Sequence, residues 1–284
     1  MKTILKQIAI HHHLKLIQTF ALVLLENALI LIYPLMASFA INAMVAKQTG
    51  LALSYAAFVL FVWLIGSARR AVDTRTFARI YAQTVVPIIV NQRKQGQAVS
   101  AITARVALSR EFVNFFEEHL PTFVTAVISL FGAALMLCVL EPLVGVTGLL
   151  ILLIFMGFLP KFAQINDRLY FKLNNRLEQD VHMISGGKEA QLTKHYRFIA
   201  KLRILISNRE ALGYLCIGTT MSLLFTIAII KLSLAPNLSA GHIYALFSYL
   251  WTFAISLDDA PRLIEQYSEL KDIGKRVQLE QEVV

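Results

Sequence analysis

Charge is scarce in this 284-residue chain. Only 16% of it is Asp, Glu, Lys or Arg, against 57% apolar residues and a mean hydropathy of +0.61. A soluble domain carries about 25% charged residues, so the shortage excludes that class and leaves a membrane protein. Cysteine is nearly absent as well. Cys138 and Cys216 both lie in apolar stretches with no C-x-x-C spacing, which leaves them as small packing residues rather than a disulfide or a metal pair. No G-x-x-x-x-G-K-[ST] run occurs anywhere. Without that backbone cradle and its lysine to hold nucleotide phosphates, these residues are not expected to hydrolyse ATP by themselves. A cleaved leader is not expected either, because the first apolar stretch runs well past signal-peptide length and five more follow it.

Those six stretches are what the chain does have. They fall at roughly 17–45, 51–68, 121–140, 143–160, 211–231 and 242–257, each about long enough for a ~30 Å hydrocarbon core. Six spans bring both termini to one side. The connections alternate between short (Ala46 to Gly50, Glu141 to Pro142, Leu232 to Gly241) and long, the long ones being 69–120 and 161–210. Of the 27 basic residues only Lys47 and Lys231 lie at the short connections. By the positive-inside rule the termini and both long extensions are expected to be cytoplasmic, in the cell (inner) membrane. The net charge of +9 then needs no nucleic acid to explain it.

The long connections are too regular for loops. In the second, Leu173, Leu177, Val181 and Ile184 recur at helical spacing among polar residues, which predicts a helical hairpin. Gly186 and Gly187 loosen that pattern, and the tip is expected just beyond them, at Leu192 to Arg197. In the first, Asn91 to Gln97 interrupt the apolar pattern and predict the turn. Residues 1–16 interleave Lys2, Lys6 and Lys15 with Ile4, Ile8, Ile10 and Leu14, the pattern of an amphipathic interfacial helix ahead of the six-helix unit of 17–284. His11, His12 and His13 point in different directions around such a helix, so no metal site is expected. The fold class is thus an all-α membrane protein, six transmembrane helices with two long cytoplasmic helical extensions.

In this order the features resemble the six-helix transmembrane domain of ABC exporters over essentially the whole chain. The run Arg93-Lys94-Gln95-Gly96-Gln97-Ala98-Val99-Ser100 resembles the Gly and Ser following that family's first coupling helix, and departs from it after Ser100. Gly187-Lys188-Glu189 resembles the segment before the second coupling helix. Gly241, Tyr249 and the stretch through Leu263, Tyr267, Leu270 and Arg276 resemble the sixth helix. Ile184-Ser185-Gly186-Gly187-Lys188 is similar to the ABC signature only by coincidence, since it falls in a membrane-domain extension. The resemblance implies that the extension tips dock on an ATPase, through Arg93, Lys94 and Gln95 in the first and Leu192, Thr193 and Arg197 in the second. It implies no cofactor in this chain, with ATP and Mg carried by a separate nucleotide-binding subunit. It also implies a second copy of the chain, because six helices build half of a pathway.

Within the spans, Glu26 and Asn27 stand out, since an acid in a membrane faces a cavity or a polar partner. Glu26 reads as near the middle of the first span. It is either a coupling or substrate acid in a central cavity or a structural acid bonded to a neighbouring helix, and no cation stands beside it in the sequence. Ser248, Thr252, Ser256 and Asp259 form one polar stripe on the last span and suit a water-filled cavity, while the aromatic residues around them suit packing or an amphipathic solute. The charged sets Arg69, Arg70, Asp73, Arg75, Arg79 and Lys172, Arg176, Glu178, Asp180 suit ion pairs between extension legs. The leading expectation is the membrane subunit of an ATP-driven exporter of an amphipathic solute, working by alternating access as a homodimer. The rivals are a proton-coupled transporter of the same fold, using Glu26 and Asp258 or Asp259, and a non-transporting membrane scaffold.

Overall fold

The computed structural model describes residues 2–114, 117, 119–186 and 188–260, so the expected helix through Leu263 and Arg276 lies outside the described residues. The described elements are helices: α1 (Lys2–Val45), α2 (Thr49–Lys94), α3 (Val99–Asn114), α4 (Leu120–Leu140), α5 (Pro142–Leu177), α6 (Asp180–Gly186), α7 (Glu189–Ser233) and α8 (Ala240–Asp258). Six of them, α1, α2, α4, α5, α7 and α8, are long and apolar enough to cross a membrane.

Four of these run far past the ~20 residues a bilayer requires. α1, α2, α5 and α7 have 44, 46, 36 and 45 residues, so each leaves the hydrocarbon as an unbroken rod. Pro34, Pro87 and Pro160 lie inside three of them without ending the helix. α1 has no break at residue 16, and the basic N-terminal segment is simply its first turns.

The turns decide where everything else stands. Between α1 and α2 the chain reverses through Lys47, a non-glycine residue at φ 57, with the Gln48 amide donating to the Ala43 carbonyl at 2.8 Å. Between α2 and α3 it reverses through Gly96 at φ 69, a left-handed conformation that glycine adopts without a Cβ penalty.

The second extension turns earlier than its sequence pattern implies. α5 stops at Leu177, a short α6 follows, and α7 is already formed at Glu189. Leu192, Thr193 and Arg197 are therefore in the returning leg, and the tip is Glu178 to Lys188. The apparent apolar repeat misled because it crosses the break: Leu173 is buried in the hairpin, whereas Ile184 is 68% exposed.

Burial is uneven across the spans. α8 packs against α1, α4 and α7 and is buried over 44% of its apolar window, while the corresponding figure for α2 is 6%. α2 leans on α1 and α3 and turns Leu53, Leu60, Phe61, Trp63 and Leu64 outward, a surface suited to lipid or to another protein.

Candidate functional site

α1 and α2 leave their shared turn side by side, so residues equally far from it meet. At ~1.5 Å per residue, Glu26 stands about 29 Å from Val45 and Arg69 about 30 Å from Thr49. Their side chains form an ion pair, Arg69 Nε to Glu26 Oε2. Arg69 Nη1 also donates to Asp73 Oδ2 at 3.0 Å, one turn further on. Gly66 leaves room for the Glu26 carboxylate, since a Cβ there would stand 2.7 Å from Oε1.

Counted from the Lys47 turn, the pair stands about one ~30 Å hydrocarbon thickness along both rods, at the extension-side edge of a core that starts at that turn, and the partner of Glu26 is a cation forty-three positions away in sequence. Beyond that edge, burial pushes the Asp73 carboxyl above the ordinary carboxylate range. The Arg69 guanidinium and the buried Thr19 hydroxyl oppose the rise, and Glu26 adds to it. The cluster clamps α1 to α2 where both rods leave the bilayer. Asn27 is buried beside it and spends its amide on its own helix, Nδ2 donating to the Val23 carbonyl at 2.8 Å.

The α8 stripe does not open onto one common space within the chain. Ser256 is buried, Ser248 and Thr252 are half-buried, and Asp259 caps the helix end. Thr252 Oγ1 donates back to the Ser248 carbonyl at 2.9 Å. The outward large apolar residues of α8 are Ile243, Tyr244, Trp251 and Ile255.

What holds α8 in place is at its other end, which the sequence did not single out beyond Gly241 and Tyr249. The Gly241 amide donates to Asn42 Oδ1 at 2.9 Å, and a Cβ at Gly241 would lie 2.2 Å from the Ser38 carbonyl oxygen. Two turns on, the buried Tyr249 hydroxyl donates to the Leu31 carbonyl at 2.6 Å. His242 Nε2 meets Glu141 Oε1 at 3.2 Å, joining the start of α8 to the α4–α5 turn. Such polar contacts anchor helices in a medium that offers no hydrophobic drive between them.

At the extension tips, Arg93, Lys94 and Gln95 are exposed in and beside the α2–α3 turn. In the other extension the fully buried His195 of α7 meets Asp180 at the start of α6, Nε2 to Oδ1 at 2.5 Å. That bond ties the short α6 to the hairpin. The legs behind it are joined by Tyr170 Oη donating to Glu210 Oε1 at 2.9 Å and Arg209 Nε donating to Asn166 Oδ1 at 3.1 Å. Among the described residues no group of three or more His, Cys, Asp or Glu is placed to hold a metal ion.

Six apolar helices with two helical extensions and no strand among the described residues define a multi-pass membrane protein with an ABC exporter-like transmembrane fold. The sequence profile of the ABC transporter transmembrane region matches residues 5–241, and the chain belongs to that family. No curated protein matches the chain in sequence. Family and fold together make it a membrane transport component, without a nucleotide-binding domain in these 284 residues.

Proposed function

We propose that the chain is the membrane-spanning subunit of an ATP-driven ABC-type exporter, with the ATPase, its ATP and its Mg supplied by a separate polypeptide. Two copies pack around a central pathway and carry an amphipathic solute by alternating access. The orientation is termini and extensions toward the cytoplasm of a cell with the protein in its inner membrane.

The observation that carries this reading is the continuity of the rods. α2 delivers the turn at Arg93 to Gln95 about 38 Å beyond Arg69. α5 and α7 carry α6 outward in the same direction. Rigid helices ending in exposed polar turns suit the transfer of a partner's motion into the spans, whereas a membrane scaffold has no use for them. Against proton coupling stands Glu26 itself, engaged with Arg69 as a clamp between helices. The outward face of α2 supplies the surface for a second copy.

Purification from native membranes in mild detergent tests the reading. The expected result is a stoichiometric partner bearing a phosphate-binding P-loop, lost when the α6 residues are replaced, and ATP-dependent transport that survives Glu26→Gln. A homodimer without such a partner, whose transport follows a pH gradient and fails in Glu26→Gln, overturns it.

A further inference from the structure

The second extension carries a cavity of about 380 Å³ lined by Arg176 of α5 and by Lys194, Arg197, Phe198 and Lys201 of α7. The spacing of three and four residues puts the α7 cations on one face of that helix. Arg176 faces them across the hairpin, its guanidinium over the Phe198 ring at 5.6 Å from the centroid. Gln179 holds it there, accepting from Nη1 at 2.9 Å, while its buried Nε makes no hydrogen bond among the described residues.

Four cations surround this volume, and among the described residues no carboxylate pairs with any of them. Elsewhere in the chain Arg69 is paired with Glu26 and Asp73, while Arg209 is held by the Asn166 side-chain and Phe162 carbonyl oxygens. Like charges held around one volume repel, and an anion of matching charge relieves that cost. Guanidinium forks fit phosphate oxygens in pairs, and lysines add point charges that follow a chain of them.

We infer that this cleft binds a linear polyphosphate anion from the aqueous phase, seated between Arg176 and the Lys194–Arg197–Lys201 face with Phe198 as its apolar wall. The volume is in the range of small-ligand sites, ~300–1,000 Å³. A lipid headgroup is out of reach, because Phe198 lies about 20 Å along α7 from the first residues of its span, well beyond a ~8 Å screening length. A bound anion would cross-link the two legs beside α6. The inference concerns this chain alone and does not depend on a partner ATPase.

Calorimetric titration of the full-length chain, in nanodiscs of phosphatidylcholine, with sodium tripolyphosphate tests it. Saturable binding of one anion per chain is expected. Arg197→Ala and Lys201→Ala should each weaken it about tenfold, the loss of one charge-assisted contact. Arg197→Lys, which keeps the charge and loses the fork, should weaken it about threefold. Both positions are exposed, and an unchanged thermal midpoint confirms that the variants fold. The double variant Arg93→Ala/Lys94→Ala on the other extension removes twice the charge of either single alanine variant and should leave affinity within about twofold. Absence of saturable binding overturns the inference, as does an equal loss in that double variant, which would mark general attraction to a basic surface.

Discussion

Around Leu224 and Leu246 the buried set is rich in small residues, Ala133, Ala134, Ala228 and Ala245 all being fully covered. Around Leu202 it consists of Leu173, Ile199 and Ile206, with Leu169 and Leu177 packed against them and no alanine. The first cluster joins α4, α5, α7 and α8 between the lipid-facing spans, and the second joins α5 and α7 in the extension. Lipid tails are as apolar as leucine, so helices in the bilayer gain from close approach and polar contacts rather than from leaving water. In the extension the same helices are in water, and burying branched side chains drives their pairing. One continuous helix, α7, thus passes from one set of packing rules to the other along its length.

Substitutions that attack one mode and spare the other test this contrast. The largest effect is expected from Gly241→Ala, whose methyl would meet the Ser38 carbonyl at 2.2 Å and push α8 off α1. A cost of about 3 kcal/mol or more is expected, read as lost thermal stability in detergent, with Gly157→Ala, in open space, as the neutral control. In the extension, Leu202→Ala should cost about 2–3 kcal/mol, and hydrogen exchange should locate the loss between residues 169 and 206 while α4 and α8 keep their protection.

At the boundary between the two regions, Arg69→Met should cost about 2 kcal/mol in thermal unfolding and exceed Glu26→Gln, because it strands two carboxylates instead of freeing one cation. Asp180→Asn weakens the bond to His195 and should raise exchange in α6 by about 1 kcal/mol of lost protection, leaving the global midpoint unchanged.

The smallest effect is a pH slope. A carboxyl raised in the folded state holds its proton longer there than in the unfolded chain, so its contribution to stability falls as pH rises from the ordinary carboxylate value, about 3.9, through the raised one. Unfolding midpoints measured across that window should decline more steeply in the wild type than in Asp73→Asn.

The bilayer half of the fold was the legible half. Long apolar runs broken by Ala46–Gly50, Glu141–Pro142 and Leu232–Gly241 fix span number and order by length alone, and the six helices long and apolar enough to cross a membrane turn at those three connections. The extension tips were legible only where a glycine marked the turn, as at Gly96. Between Leu177 and Asp180 neither Gly nor Pro marks the break, and Val181 and Ile184 prolonged the helical pattern past it. The acidic first turn at Glu189, with the Lys188 amide donating to Gln191 Oε1 at 3.1 Å, was the available signal.

Arg69 as the partner of Glu26 was also within reach of the sequence, because both lie at nearly equal distances from the Lys47 turn. It was missed because no cation stands beside Glu26 in the sequence itself. The α8 stripe was legible as periodicity but not as environment. Whether Ser256 faces a neighbour or open space depends on how α1 and α4 close around α8, which no local pattern encodes.

The Glu26–Arg69 contact also sets the proportions of α2. It divides a single unbroken rod into about 30 Å on the side of the Lys47 turn and about 38 Å on the side of Gly96. A rod pinned near its midpoint behaves as a balance beam. Any tilt that carries Lys94 sideways by one ångström swings Thr49 the opposite way by about 0.8 Å, so a displacement at the extension tip reappears, reversed and little reduced, at the far end of the span.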